Sequence, residues 1–173
     1  MLIPPAKVKL GIMTVQIPDT LTLDNPFWQF SLLLWEDKTL RALLLRLQDE
    51  HNQRINLLLF AIWLAKQHKV IKTGFKQLCL SSDTWHDRIV LPLRKARKEL
   101  PKIEAVAMLK TQIQASELLA EQYEQALLFN CSLDIQTDEA ENISFEERLR
   151  VNLSTGQLRK SDLSLLIDIL ISD

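Results

Sequence analysis

A chain of 173 residues with 47% hydrophobic and 25% charged side chains suits one compact domain with a real core and is short for two. Three glycines, Gly11, Gly74 and Gly156, lie too far apart for a phosphate-cradling loop and are too few for a hairpin-rich β fold. The formal charge of −1 gives no bulk attraction to nucleic acid or acidic membranes.

Residues 1–24 hold Pro4, Pro5 and Pro18 without periodicity and read as an extended arm, with Met13 an equally good start. Asn25-Pro26 then opens a helix, Asn as cap and Pro at the first helical position. Its apolar face carries Phe27, Trp28, Phe30, Leu34 and Trp35. Asp37 caps a second helix whose Leu40, Leu43, Leu44 and Leu47 form one stripe, ending near Asn52, a residue that tolerates the left-handed conformation of a helix stop. The third helix, about Arg54 to Gln67, is apolar almost all round and is expected to be the central buried element.

Thr73-Gly74 turns the chain into a short helical segment around Phe75 to Leu80, and Ser81 or Ser82 caps the next helix. That helix carries Trp85, Ile89, Leu93, Ala96 and Leu100 inward, with a kink expected at Pro92. A long helix follows from about Lys102 to Phe129. Its stripe of Val106, Leu109, Ile113, Ser116, Ala120, Tyr123 and Leu127 fits a coiled-coil dimer or, preferably, packing within the chain. Asp134 to Asn142 reads as an acidic linker, Ser144 and Glu147 as a capping box, and Ser161 or Asp162 as the cap of a last short helix.

The fold class is therefore all-α: a compact single-domain helical bundle with a central buried helix, one long helix and a short C-terminal helix. Residues 25–130 form the helical core domain, and residues 131–173 the acidic linker and short C-terminal helices. No cationic segment precedes an apolar stretch at the N-terminus, so no signal peptide is expected. The longest apolar run, Leu57 to Ala65, reaches about 14 Å as helix, roughly half a bilayer core. No membrane span is expected, and the cytoplasm is the expected compartment. Cys79 and Cys131 sit in leucine- and phenylalanine-rich surroundings and read as buried thiols.

Four stretches in order carry a resemblance. They are Phe27-Trp28-Gln29-Phe30-Ser31; Leu47-Gln48-Asp49; Asn56-Leu57-Leu58-Leu59-Phe60 with Trp63; and Trp85 followed by Pro92-Leu93-Arg94 and Arg97. Together they resemble the bacterial family known as domain of unknown function 2390, over about residues 25–128. The resemblance implies a small helical cytoplasmic protein of unassigned activity and brings no functional residues with it. Where the family pattern has a glycine after Leu-Gln-Asp, this chain has Asn52.

No catalytic residues, metal ligands or cofactor are assigned. The pairs Asp83/Asp87 and Asp134/Asp138 have magnesium-binding spacing, but the first sits at a helix start and the second in the linker. Asp83-x-x-His86 lacks the glutamate partners of a di-iron bundle, and His51, His68 and His86 are expected to be solvated near helix ends. Arg88, Arg94, Lys95, Arg97, Lys98 and Lys102 make a basic run, whereas residues 117–147 hold nine acidic side chains and no Lys or Arg. These blocks are expected to pair internally or stay solvated ahead of binding a protein, with nucleic acid last.

Gln48, Asn56 and Arg94 interrupt or adjoin apolar stretches and therefore need partners. Either they tie helices together or they converge with Trp85 and Arg97 on a pocket for a small anion, the first being favoured. The last helix carries Leu163, Leu166, Ile167, Leu170 and Ile171, a face that must dock on its own domain, on a second copy or on a partner groove, with an unidentified protein partner or self-association the leading expectation. Deleting residues 159–173 is then expected to leave a folded domain that has lost its partner. The leading functional expectation is a non-enzymatic helical interaction or adaptor protein. A small-anion binder or unrecognised enzyme near Arg94 is the alternative, and a nucleic-acid-associated protein the third.

Overall fold

The computed structural model describes residues 17–71, 80–135, 142–154 and 158–172. The expected Thr73-Gly74 turn, Cys79, Asp138 and most of the arm and linker lie outside these residues. Among the described residues every regular element is helical.

Local signals place the first elements. Helix α1 (Pro26–Glu36) is capped by Asn25, whose Oδ1 accepts from the Trp28 N–H at 3.0 Å, and Pro26 occupies the first turn. Helix α2 (Lys38–His51) starts at Asp37, whose carboxylate accepts from Thr39 and Leu40 at 2.7 and 3.1 Å. It stops at Asn52, which takes φ 52° and ψ 30°. That is the left-handed stop a glycine would otherwise supply.

Helix α3 (Ile55–Lys66) is the centre, with every residue from Leu58 to Ala65 buried. Each large side chain removed from water there stabilises the fold by roughly 1.5–3 kcal/mol. Phe27 and Trp63 lie 5.5 Å apart, and Trp63 and Phe129 5.8 Å, so an aromatic cluster joins α1, α3 and the long helix.

The Pro92 region differs from a simple kink. Helix α4 (Leu80–Trp85) runs into a π-helical turn, His86–Val90, and continues as α5 (Leu91–Glu99). The Leu91 N–H reaches back to the His86 carbonyl, and Pro92 falls in the first turn of α5, where its missing N–H is tolerated. Ser82 is inside α4 rather than a cap; it is buried and accepts from Arg54 Nη2 at 3.3 Å.

After Pro101 the chain bends at Lys102 and Ile103 and makes a 3-10 turn at Glu104–Val106. The long helix α6 (Ala107–Leu133) therefore starts and ends about one turn later than its periodicity predicts. Ala120 and Leu127 of its stripe are buried, and Tyr123 stacks on Trp85 at 5.4 Å, so this half of the stripe packs within the chain.

Helices α7 (Phe145–Ser154) and α8 (Lys160–Ile171) belong to the same core as α3. Ser144 Oγ accepts the Glu147 N–H at 3.1 Å at the start of α7. Arg148 Nε donates to the Ala65 carbonyl at 2.9 Å, closing the C-terminal end of α3. Asn152 accepts from the Ile71 N–H at 2.8 Å and donates to the Lys69 carbonyl at 3.0 Å.

The face of α8 is spent inside the molecule. Leu166 and Ile167 are completely buried, Leu163 and Leu170 pack on the core, and Ile171 alone of the five stays exposed. Asp162 lies inside the first turn, not at the cap; its carboxylate pairs with Arg46 at 3.1 Å and Arg159 at 2.8 Å. Of the docking places open to this face, its own domain is the one that Leu163, Leu166, Ile167 and Leu170 take here. A short amphipathic helix with an apolar groove within reach of its own chain docks there.

Candidate functional site

Three glutamates along α6, Glu117, Glu121 and Glu124, recur at helical spacing and meet the basic side chains of the preceding elements. Glu124 is completely buried and its partners converge from three elements. Arg54 Nη2 donates to one carboxylate oxygen. Asn56 Nδ2 donates to the other at 2.8 Å, and His86 Nδ1 lies 3.2 Å from it. A carboxylate only accepts, so His86 carries its proton on Nδ1. Burial alone would raise the Glu124 carboxyl's pKa, yet His86 and Arg54 hold it below the usual range. Arg54 also pairs with Asp83 and is itself raised, its carboxylate neighbours outweighing the burial that would lower it.

One turn toward the N-terminus, Arg94 Nε donates to Glu117 at 2.9 Å and its Nη2 to Glu121, while Arg97 Nη2 donates to Glu117 at 3.1 Å. Lys98 pairs with Asp49 at 2.7 Å. Much of the basic run is therefore matched by acidic residues of its own chain. Glu117 is lowered: burial opposes its charge, but Arg97 and Arg94 prevail. Glu121 is raised, because burial and the neighbouring Glu117 and Glu124 outweigh Arg94.

A cleft of about 400 Å³ opens beside this layer, between α1, the end of α2, the start of α3 and the middle of α6. Its rim is apolar: Trp28, Leu32 and Trp35 from α1, Leu45 from α2 and Leu118 from α6. Deeper, Gln48, Asn56, Arg97, Glu117, Glu121 and Gln125 form a polar part of the floor beside the apolar Ile55 and Leu59. Gln125 Nε2 donates to Asn56 Oδ1 at 2.9 Å, whereas Gln125 Oε1 and Gln48 Oε1 are buried with no protein partner. An unmatched buried acceptor costs about 1–3 kcal/mol, so these two oxygens mark a place where the fold leaves hydrogen bonding unfinished.

A second cleft of about 620 Å³ shares Gln48 with the first and has more charged residues in its lining: Arg54, Arg94, Lys95 and Lys98 with Asp49, Asp87 and Glu99, beside His86. Of the five expected pocket residues, Gln48, Asn56 and Arg97 share the first cleft and Gln48 and Arg94 the second. Trp85 joins neither: its indole N–H donates to the Ala120 carbonyl at 2.8 Å and its ring covers Tyr123. His86 is likewise not solvated at a helix end but buried against Glu124. Glu117, Glu121, Glu124, Gln125 and Arg54 escaped the sequence reading. Their signal was a run of acidic residues in α6 at the same three- and four-residue spacing as its apolar stripe, preceded by a basic helix.

Among the described residues no cluster of His, Cys, Asp and Glu is placed to hold a metal ion, and no helix is long and apolar enough to cross a membrane. Fold and site together define an all-α protein with a buried, saturated carboxylate and an apolar-rimmed cleft beside it. Residues 26–128 match the family described as "Protein of unknown function (DUF2390)", and the chain belongs to that family. The matched span holds α1 to α5, most of α6 and every residue of both clefts. No curated protein and no solved structure matches the chain.

Proposed function

We propose that the protein is a non-enzymatic helical interaction protein of the cytoplasm and that the cleft between α1 and α6 receives its protein partner. One observation carries this reading: exposed leucines and half-buried tryptophans line a concave site whose depth holds buried amide oxygens without protein donors. Leu32 is 44% exposed and Leu118 55%, and their neighbours in sequence Leu33 and Leu119 are 67% and 50% exposed. Large apolar groups gathered at a concavity are the usual mark of a binding surface. Docking of α8 on its own domain and pairing of the basic helix leave this cleft as the better supported surface. The absence of a membrane-crossing helix among the described residues agrees with the proposed compartment.

The test is comparative capture from the native cytoplasm. The tagged protein is expected to retain a partner that Leu118→Glu loses, while Ile171→Glu on the exposed edge of α8 retains it. Circular dichroism of both variants should match the parent. Equal retention by all three proteins would sink the cleft as the partner site.

A second reading, a small-anion binder, draws on the other cleft, where Arg54 Nε is buried without a protein partner beside Arg94. Against it, the Arg94 guanidinium is already divided between Glu117 and Glu121.

A further inference from the structure

The hydrogen bonds beneath the α1–α6 cleft fix which atoms its floor presents. Glu124 only accepts, so Asn56 must turn Nδ2 toward it, at 2.8 Å. Asn56 Oδ1 then faces Gln125, which must answer with Nε2, at 2.9 Å. Flipping either amide would set two acceptors or two donors against each other. The relay from a buried carboxylate through two amides thus leaves Gln125 Oε1 as an acceptor with no protein donor; Gln48 Oε1, outside the relay and oriented by no protein hydrogen bond, is a second buried oxygen without one. Glu117 and Glu121, also on the floor, add further lone pairs. Donors are scarce by comparison: Arg97 directs Nε and Nη2 to Glu117, and Asn56 Nδ2 is occupied by Glu124 and the Glu121 carbonyl.

An occupant that completes this site brings donors at its tip and an apolar stem to lie along the rim. An anion would set acceptors against acceptors, which reverses the earlier expectation for Gln48, Asn56 and Arg97. Among protein side chains arginine fits best. Its planar head offers five donors to several acceptors at once, and its cation is attracted to aromatic faces such as those of Trp28 and Trp35.

Building on the proposed protein-binding role of this cleft, we propose that the partner anchors itself with an arginine side chain, its stem against Trp28, Trp35 and Leu118 and its guanidinium donating to Gln48, Gln125 and Glu121. The measurement uses the full-length protein and three small probes: N-acetyl-arginine amide, the isosteric neutral N-acetyl-citrulline amide, and N-acetyl-glutamate amide. Indole N–H signals in the NMR spectrum, assigned by single Trp→Phe variants, report on each tryptophan.

The arginine probe is expected to shift the Trp28 and Trp35 signals saturably while leaving Trp63 and Trp85 in place, with citrulline at least fivefold weaker. Gln48→Leu, which removes an orphan acceptor and no protein hydrogen bond, should weaken the arginine probe at least threefold with an unchanged circular dichroism spectrum. Citrulline or glutamate binding as tightly as arginine would overturn the cationic anchor while leaving the cleft a recognition site. No response at Trp28 or Trp35 to any probe would overturn the anchor outright, and the capture experiment with Leu118→Glu would then decide separately whether a partner uses the cleft.

Discussion

Glu124 and Gln125 are neighbours on α6, both buried, and their surroundings treat them in opposite ways. Glu124 gathers Arg54, Asn56 and His86 around a charge that could not be buried alone. Gln125 is held by one hydrogen bond and keeps an oxygen without a protein donor. The first belongs to a closed region that runs through α3, α7 and α8 and in which the buried polar groups are matched apart from Arg54 Nε. The second belongs to an open region bounded by α1 and the exposed half of α6. The contrast separates residues that hold the fold from residues left available to something else.

The largest effect should come from the closed region's edge. Removing residues 159–173 takes Leu166 and Ile167 out of the core, so the cooperative unfolding transition is expected to disappear, with aggregation on expression. Leu166→Ala alone should cost about 2–5 kcal/mol in urea titration, through lost burial and the cavity left behind. A truncated protein that unfolds cooperatively with the parent's midpoint would show α8 to be dispensable and restore the free-tail reading.

Glu124→Gln comes next, with an expected loss of about 3 kcal/mol, because Arg54 would keep only Asp83 as counter-charge and the new amide would turn an NH2 toward the donors of Arg54, Asn56 or His86. The sign of its pH dependence follows from the shifts. Glu124 and Glu117 have folded values below their unfolded value near 4.5, so their stabilisation is present above that pH and lost as pH falls through the folded values. Glu121, at the cleft, is shifted upward and acts oppositely: its contribution is full below 4.5 and lost as pH rises through its folded value. The parent should therefore weaken in acid, and Glu124→Gln should do so less steeply. Parallel pH–stability curves for the two proteins would show that Glu124 is not the group responsible.

The smallest effect is expected from Gln48→Leu, within about 1 kcal/mol of the parent or slightly stabilising, since an unmatched acceptor is replaced by an apolar group. A loss as large as that of Glu124→Gln would dissolve the distinction between the two regions and make the cleft floor structural.

Much of the architecture was legible because its signals act within one or two turns. Asn25, Asp37 and Asn52 cap or stop helices through atoms two to five residues away, and the apolar girth of α3 declares its burial without reference to any neighbour. Boundaries failed where a local signal met a competing one. Pro92 was absorbed by a π-helical turn, and Pro101 was followed by a bend and a 3-10 turn before α6 began.

By itself, then, the sequence determined helix class, the caps of α1, α2 and α7, the central element and the family. Which face met which was decided only by tertiary structure. Arg54 and Glu124 are separated by 70 residues, Asn56 and Gln125 by 69, and Arg46 and Asp162 by 116. Periodicity marks a face as apolar or charged but carries no address for its partner. The same leucines of α8 suit an external groove or an internal one, and only the presence of such a groove in the same chain settles which is filled. Likewise an amide reads identically in sequence whether or not a donor reaches its oxygen. That depends on geometry assembled from α1, α2, α3 and α6 together, and it divides Glu124, which the fold completes, from Gln125, which it does not.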